Sequence, residues 1–147
     1  MRTCPFVLAV LLVYYGAVVP GFGQSYFYGE DKFRNQVLLT PELIEGLKKD
    51  KEFAWCYNLG TINFEATSLD LNRDGVREVL VKGNCGNSAY SFYYWIVKRK
   101  KASYTPIFFV GTMGLTFNRR RTNGYSEITS GGCSAAACTF VRFSLNG

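Results

Sequence analysis

Between residues 62 and 145 the chain is written in short β-branched and aromatic runs separated by Gly, Asn and Ser, and this repetition restricts it to a sheet-dominated fold. The first run, "TINFEATSLDL", carries Ile62, Phe64 and Ala66 on one face. Its phase then shifts at Thr67 and Ser68, where a bulge is expected. "VREVLV", "AYSFYYWIV", "YTPIFFVG", "LTF", "YSEIT" and "CTFVRFSL" follow in order. Strands of this length and spacing predict a largely antiparallel sheet, most simply an up-and-down meander. Tyr, Phe and Trp form 16% of the chain, and in such runs they read as core and cross-strand packing.

Upstream the pattern changes. Residues 24–39 have no clean period and read as an N-terminal arm with one helical turn. Thr40 is placed to cap a helix, Pro41 suits its first turn, and Glu42 and Lys48, Lys49 and Lys51 complement its dipole. Leu43, Ile44 and Leu47 make a narrow apolar stripe, which predicts a helix over Pro41–Lys51. The expected fold class is therefore α+β: a mainly antiparallel meander with one or two short N-terminal helices packed on it.

Residues 1–23 carry Arg2, an apolar run from Phe6 to Val19 and the small-residue stretch "GFG" before Gln24, the features of a secretory signal peptide. The apolar run is too short to span a bilayer, so a single exported domain, residues 24–147, is expected in a secreted or periplasmic setting. Removal of Arg2 leaves 16 of the 17 Lys and Arg against 11 Asp and Glu, a balance that favours anionic partners. Four cysteines remain, Cys56, Cys85, Cys133 and Cys138. An even count in an exported chain favours two disulfides over a zinc site, since the chain has no histidine and no C-x-x-C pair. Cys56 with Cys85 and Cys133 with Cys138 is one pairing, and Cys85 with Cys138 is a near equal.

The stretch "DLNRDGVREVLV" sets Asp70, Asn72 and Asp74 at alternate positions before Gly75, with the Val76 carbonyl and Glu78 following. Calcium takes six to eight oxygen ligands, and such a loop supplies them while glycine permits the sharp turn. An EF-hand would place a glutamate where Val81 stands, so the stretch is not one. It resembles the calcium loop of FG-GAP and VCBS-type repeats, where D-x-[DN]-x-D-G-x-x-[DE] sits in a hairpin. That resemblance implies side-chain ligation by Asp70, Asn72, Asp74 and Glu78 and a carbonyl from Val76. The motif occurs once, whereas a propeller needs many copies. The order "DLNRDGVREVLV", "CGNSAYSFYYWIV", "TNGYSEI" and "FVRFSLNG" also resembles small exported bacterial proteins of unknown function, which implies a secreted α+β domain.

In a meander, alternate turns share an end. The Asn72 to Gly75, Lys98 to Ser103 and Asn118 to Gly124 turns would lie together, and the cysteines would lie opposite. Lys98, Arg99, Lys100, Lys101, Arg119, Arg120 and Arg121 then form a candidate anion-binding surface, with Tyr104 and Tyr125 adjacent for stacking. Without histidine, a serine or cysteine nucleophile has no imidazole base. A carboxylate-dependent hydrolase would have to draw on Glu65, Glu78 and Glu127. The expected function is a non-catalytic binding or structural module, calcium-stabilised at the Asp70 loop, with a basic end for an anionic polymer or acidic protein surface. The alternatives are an inhibitor of an extracellular hydrolase or a carboxylate-dependent hydrolase.

Overall fold

A computed structural model describes residues 25–28, 33–60, 62–86, 92–133 and 137–146. The signal peptide expected over residues 1–23 lies outside them. The described elements run β1 (Ser25–Tyr28), α1 (Pro41–Leu47), α2 (Lys51–Asn58), β2 (Phe64–Leu69), β3 (Glu78–Gly83), β4 (Phe92–Lys100), β5 (Ser103–Thr112), β6 (Gly114–Thr122), β7 (Tyr125–Cys133) and β8 (Cys138–Phe143).

All the strand pairs are antiparallel, as expected, but the meander is broken in two. One sheet has the order β2-β3-β4-β5 and the other β1-β6-β7-β8. The break falls at "GTMG", which does not close a hairpin. There the chain crosses between sheets, and the Thr112 hydroxyl fixes the crossing by donating to the carbonyls of Gly114 and Gly131, each at 3.2 Å. The driving force is burial: a sheet with aromatic and aliphatic residues on both faces needs a cover on each.

Those two covers are visible in β3 and β4. Val79, Val81, Trp95 and Val97 pack with Leu43, Leu47, Phe53 and Cys56 of the helices. Leu80, Tyr94 and Ile96 point the other way and pack with Leu115, Phe117 and Ile128 of the second sheet. The molecule is thus a helix layer, a sheet and a second sheet. Each fully buried Leu, Ile, Val or Phe in these two cores contributes roughly 1.5–3 kcal/mol of transfer free energy.

The described residues form two short helices, within the one or two expected, but they divide the span Pro41–Lys51 differently from the sequence expectation. Thr40 caps α1 through its hydroxyl, which accepts the Leu43 N–H at 3.4 Å. The chain turns at Lys48 and Lys49, and Asp50 then caps a second helix by accepting the Phe53 N–H at 3.0 Å. Both helices follow β1 and precede the other seven described strands, so they are not strictly N-terminal. Gly46 lets α1 lie against β5, because a Cβ there would come within 2.5 Å of the Tyr104 Cβ.

Two further expectations are corrected. The arm contributes no helical turn among its described residues; Ser25–Tyr28 is a strand paired with β6, and Gln36 bridges Thr67. The bulge expected at Thr67 and Ser68 is absent, since β2 and β3 stay in register from Phe64 opposite Gly83 to Leu69 opposite Glu78. Both faces of β2 are covered there, so its apolar residues need not alternate: Ala66 joins the helix-side core while the Thr67 hydroxyl donates to the Asn35 carbonyl at 2.8 Å. Register shifts do occur in β4–β5, between Ile96 and Val97, and in β6–β7, between Phe117 and Arg121.

Candidate functional site

Hydrogen bonds within the stretch itself shape the β2–β3 loop. The Asp74 N–H donates to Asn72 Oδ1 at 3.2 Å, the Val76 N–H to Asp74 Oδ1 at 2.7 Å and the Gly75 N–H to Asp70 Oδ2 at 3.2 Å. Asn72 Nδ2 also donates to Asp74 Oδ2 at 2.7 Å. Asp and Asn side chains replace missing backbone partners in this way at tight turns. Gly75 has φ +82°, a region where glycine carries no Cβ penalty, and Arg73 has φ +59°.

At the foot of the loop stands Glu78, fully buried at the start of β3. Its Oε2 accepts the Leu71 N–H at 3.0 Å. Burial pushes the Glu78 carboxyl above the usual carboxylate range, against the opposing effect of that N–H. Asp74 moves the other way: the Val76 N–H, with the Asn72 amide, holds it below the usual range. Glu78 Oε1 and Asp70 Oδ1 are both buried and have no hydrogen-bond partner.

Among the described residues no three Asp, Glu, Cys or His side chains converge on one point, because each loop acid is turned onto a nearby amide. Asp70 and Glu78, the first and last of the expected ligands, nevertheless each keep one buried oxygen without a hydrogen-bond partner, and a buried carboxylate oxygen without a donor is a group that an oxygen-seeking cation can satisfy.

The end of β4 and the β6–β7 turn meet beside this loop. Lys98 Nζ donates to the Tyr125 hydroxyl at 2.6 Å and lies over that ring, and this hydrogen bond raises the ammonium's pKa. An Arg121 guanidinium N–H donates to the Asn72 carbonyl at 3.4 Å, while the Ser126 N–H donates to the Leu71 carbonyl at 2.9 Å. Asn123 and Gly124 both have positive φ, the conformation of a two-residue hairpin turn, so the basic run of β6 is brought back tightly onto β7.

The seven cations have different surroundings. Arg99 lies over the Tyr104 ring at 6.0 Å, and Lys100 and Lys101 are exposed at the β4–β5 turn. Arg120 Nε lies 3.3 Å from the buried Glu127 carboxylate, which also has Arg142 Nε at 3.8 Å and the Thr122 hydroxyl donating at 2.8 Å. Arg119 lines a cleft beside the loop. Arg73 and Arg77 line the same cleft and were not in the expected set, although both stand inside "DLNRDGVREVLV". Their signal was position in a hairpin: Arg77 reaches across it and donates to the Ser68 hydroxyl at 3.3 Å.

The other strand acids have partners of their own. Glu65 Oε2 accepts the Phe33 N–H at 3.1 Å and lies 3.5 Å from Lys82 Nζ, and Glu127 is held by the two arginines. The cysteines form two disulfides. Cys56–Cys85 ties α2 to the segment after β3, and Cys133–Cys138 closes the β7–β8 turn.

Fold and site together define a small, disulfide-bonded α+β protein whose acidic β2–β3 loop sits among basic turns at one end. No known protein family, curated protein or solved structure matches the chain. No helix among the described residues is long and apolar enough to cross a membrane.

Proposed function

We propose that the protein is an exported, non-catalytic binding module whose β2–β3 loop is stiffened by calcium and whose basic end engages an anionic polymer or an acidic protein surface. One observation carries this reading: two buried carboxylate oxygens, on Asp70 and Glu78, lack partners in the loop around which the basic turns gather. Asp70, Asn72, Asp74 and Glu78 would hold the ion by side chains and Val76 by its carbonyl, the ligand set implied by the resemblance to FG-GAP and VCBS-type loops. Calcium supplies charge neutralisation and rigidity there, while Lys98 to Lys101 and Arg119 to Arg121 supply the field that attracts the partner. Two disulfides suit an oxidising compartment, secreted or periplasmic.

The test is thermal melting of the oxidised protein in chelator, in millimolar calcium and in magnesium. A hundredfold excess of ion over its Kd adds about 2.7 kcal/mol to stability. The expected result is a calcium-specific rise of several degrees that Asp74→Ala removes. In chelator Asp74→Ala costs only its turn hydrogen bonds, about 1 kcal/mol. Equal losses in chelator and in calcium would refute the metal. Separately, neutralising Arg119, Arg120 and Arg121 is expected to weaken salt-sensitive polyanion binding without unfolding the domain.

A further inference from the structure

The cleft beside the loop has a volume of about 340 Å³ and lies between the β2–β3 loop and β6. Three guanidiniums line it, from Arg73, Arg77 and Arg119, all exposed at its rim. Deeper in, Phe117 and Leu71 are buried, and Ser68 of β2 and Ser126 of β7 also line it. The register shift in β6 has a role here. Phe117 pairs with Ile128 and Arg121 with Ser126, so β6 carries two extra residues over this interval, which lets Phe117 face the core while Arg119 lines the cleft.

We propose that this cleft is a specific binding site for one acidic sugar unit, a uronate or a sugar sulfate, of an anionic polysaccharide. The proposal rests on the reading of the basic end as the binding surface and names its ligand class. Guanidinium forks match carboxylate and sulfate oxygens in pairs, which a mere excess of charge does not require. Asp70 stands in the same wall, and a carboxylate there disfavours a ligand of dense charge. It suits a unit with one acid group and several hydroxyl donors. Half-buried Leu69, with the small exposed edges of Leu71 and Phe117, offers an apolar wall beside a sugar ring, and Ser68 and Ser126 line the cleft with hydroxyls that can orient it. A single-stranded nucleic acid would instead call for cations spread along a groove with exposed aromatic platforms. Here the three arginines line one cleft.

The experiment titrates the oxidised protein with D-galacturonate and D-glucose 6-sulfate, with neutral D-galactose as control, and follows backbone amide and arginine Nε–H resonances by NMR. The expected result is saturable shifts at Ser68, Arg73, Arg77, Arg119 and Ser126 with both acidic sugars and none with galactose. Arg77→Lys keeps the charge and removes the fork, and is expected to weaken binding about tenfold. Lys51→Ala, at the exposed start of α2 and outside the cleft, is expected to leave the affinity unchanged. The amide spectrum itself reports whether each variant folds, and Arg119→Lys carries the same test if Arg77→Lys does not. Shifts spread over all the basic turns and unchanged in Arg77→Lys would overturn the cleft. So would binding of polygalacturonate with no response of cleft residues to either single sugar. Both of those outcomes leave the basic-end reading standing. Binding of neither monosaccharide nor polymer would remove the two together.

Discussion

Glu78 concentrates the chemistry of the loop in one side chain. It is fully buried, one oxygen accepts the Leu71 N–H, and the other has no partner. Burial raises its pKa, so the folded protein holds this proton more tightly than the unfolded chain does. The resulting stability is present below the ordinary glutamate value and is lost as pH rises through the raised one. Calcium acts in the opposite direction, because an ion stabilises the carboxylate and binding releases the proton. In chelator, the melting temperature is therefore expected to fall as pH rises through the raised Glu78 value, and in calcium that fall is expected to disappear. Glu78→Gln separates the two effects. The amide oxygen can still accept from Leu71, and the buried charge is gone, so stability at pH 7 in chelator is expected to rise by about 1 kcal/mol. The calcium-induced shift is expected to vanish. Melting curves of the variant in both conditions decide it; a calcium shift that persists undiminished removes Glu78 from the ligand set. The spacing of the acids was legible in the sequence, but the burial of Glu78 was not. It depends on β3 being covered on both faces, and six letters of "VREVLV" do not reveal the second cover.

At the scale of elements, strands were easier to read than helices. The β-branched and aromatic runs fell where strands stand because alternate packing against cross-strand neighbours demands those residues. The same preference hid α2. Its sequence, KEFAWCYN, carries Phe, Trp and Tyr, yet Phe53 and Cys56 are its buried residues, one helical turn apart. The expected helix over Pro41–Lys51 overruns α1, which ends at Leu47, and stops at the first residue of α2, whose start Asp50 sets. Asp50 Oδ1 accepts both the Phe53 N–H that starts α2 and the Trp95 indole N–H, the latter at 3.1 Å from a fully buried ring. One carboxylate thus caps a helix and fixes it to the sheet. Asp50→Ala is expected to lose about 1 kcal/mol for the cap and about 1–3 kcal/mol for an indole donor left without a partner. Asp50→Asn keeps an acceptor and is expected to retain most of that stability. Urea unfolding of the two variants measures the difference; equal, small losses would mean that the Trp95 contact contributes nothing.

At the scale of the molecule, the single expected meander is divided into two sheets. Crossing from β5 to β6 reverses the chain as a hairpin would, so Lys98 still reaches Tyr125 and Arg121 still reaches the Asn72 carbonyl. What could not be read was the division of the two disulfides between layers, since pairing depends on where the second sheet lies. Cys56–Cys85 spans a separation of 29 residues and its cysteines are buried at 0% and 2% exposure, whereas Cys133–Cys138 spans 5 and is exposed at the end of a hairpin. Loop-closure entropy alone assigns about 3.6 kcal/mol to the first and about 2.1 kcal/mol to the second. The first also joins α2 to the sheet, so its loss frees the helix layer whose Leu43, Leu47 and Phe53 cover Val81 and Trp95. Replacing Cys56 and Cys85 together by alanine is expected to lower stability by more than the entropic figure. It is also expected to increase amide exchange in α1 and α2 ahead of the second sheet. Replacing Cys133 and Cys138 is expected to leave the helices protected and to loosen only the β7–β8 turn. Hydrogen exchange of the two double variants resolves this, and uniform loss of protection in both would mean that the three layers unfold as one unit regardless of which bond holds them.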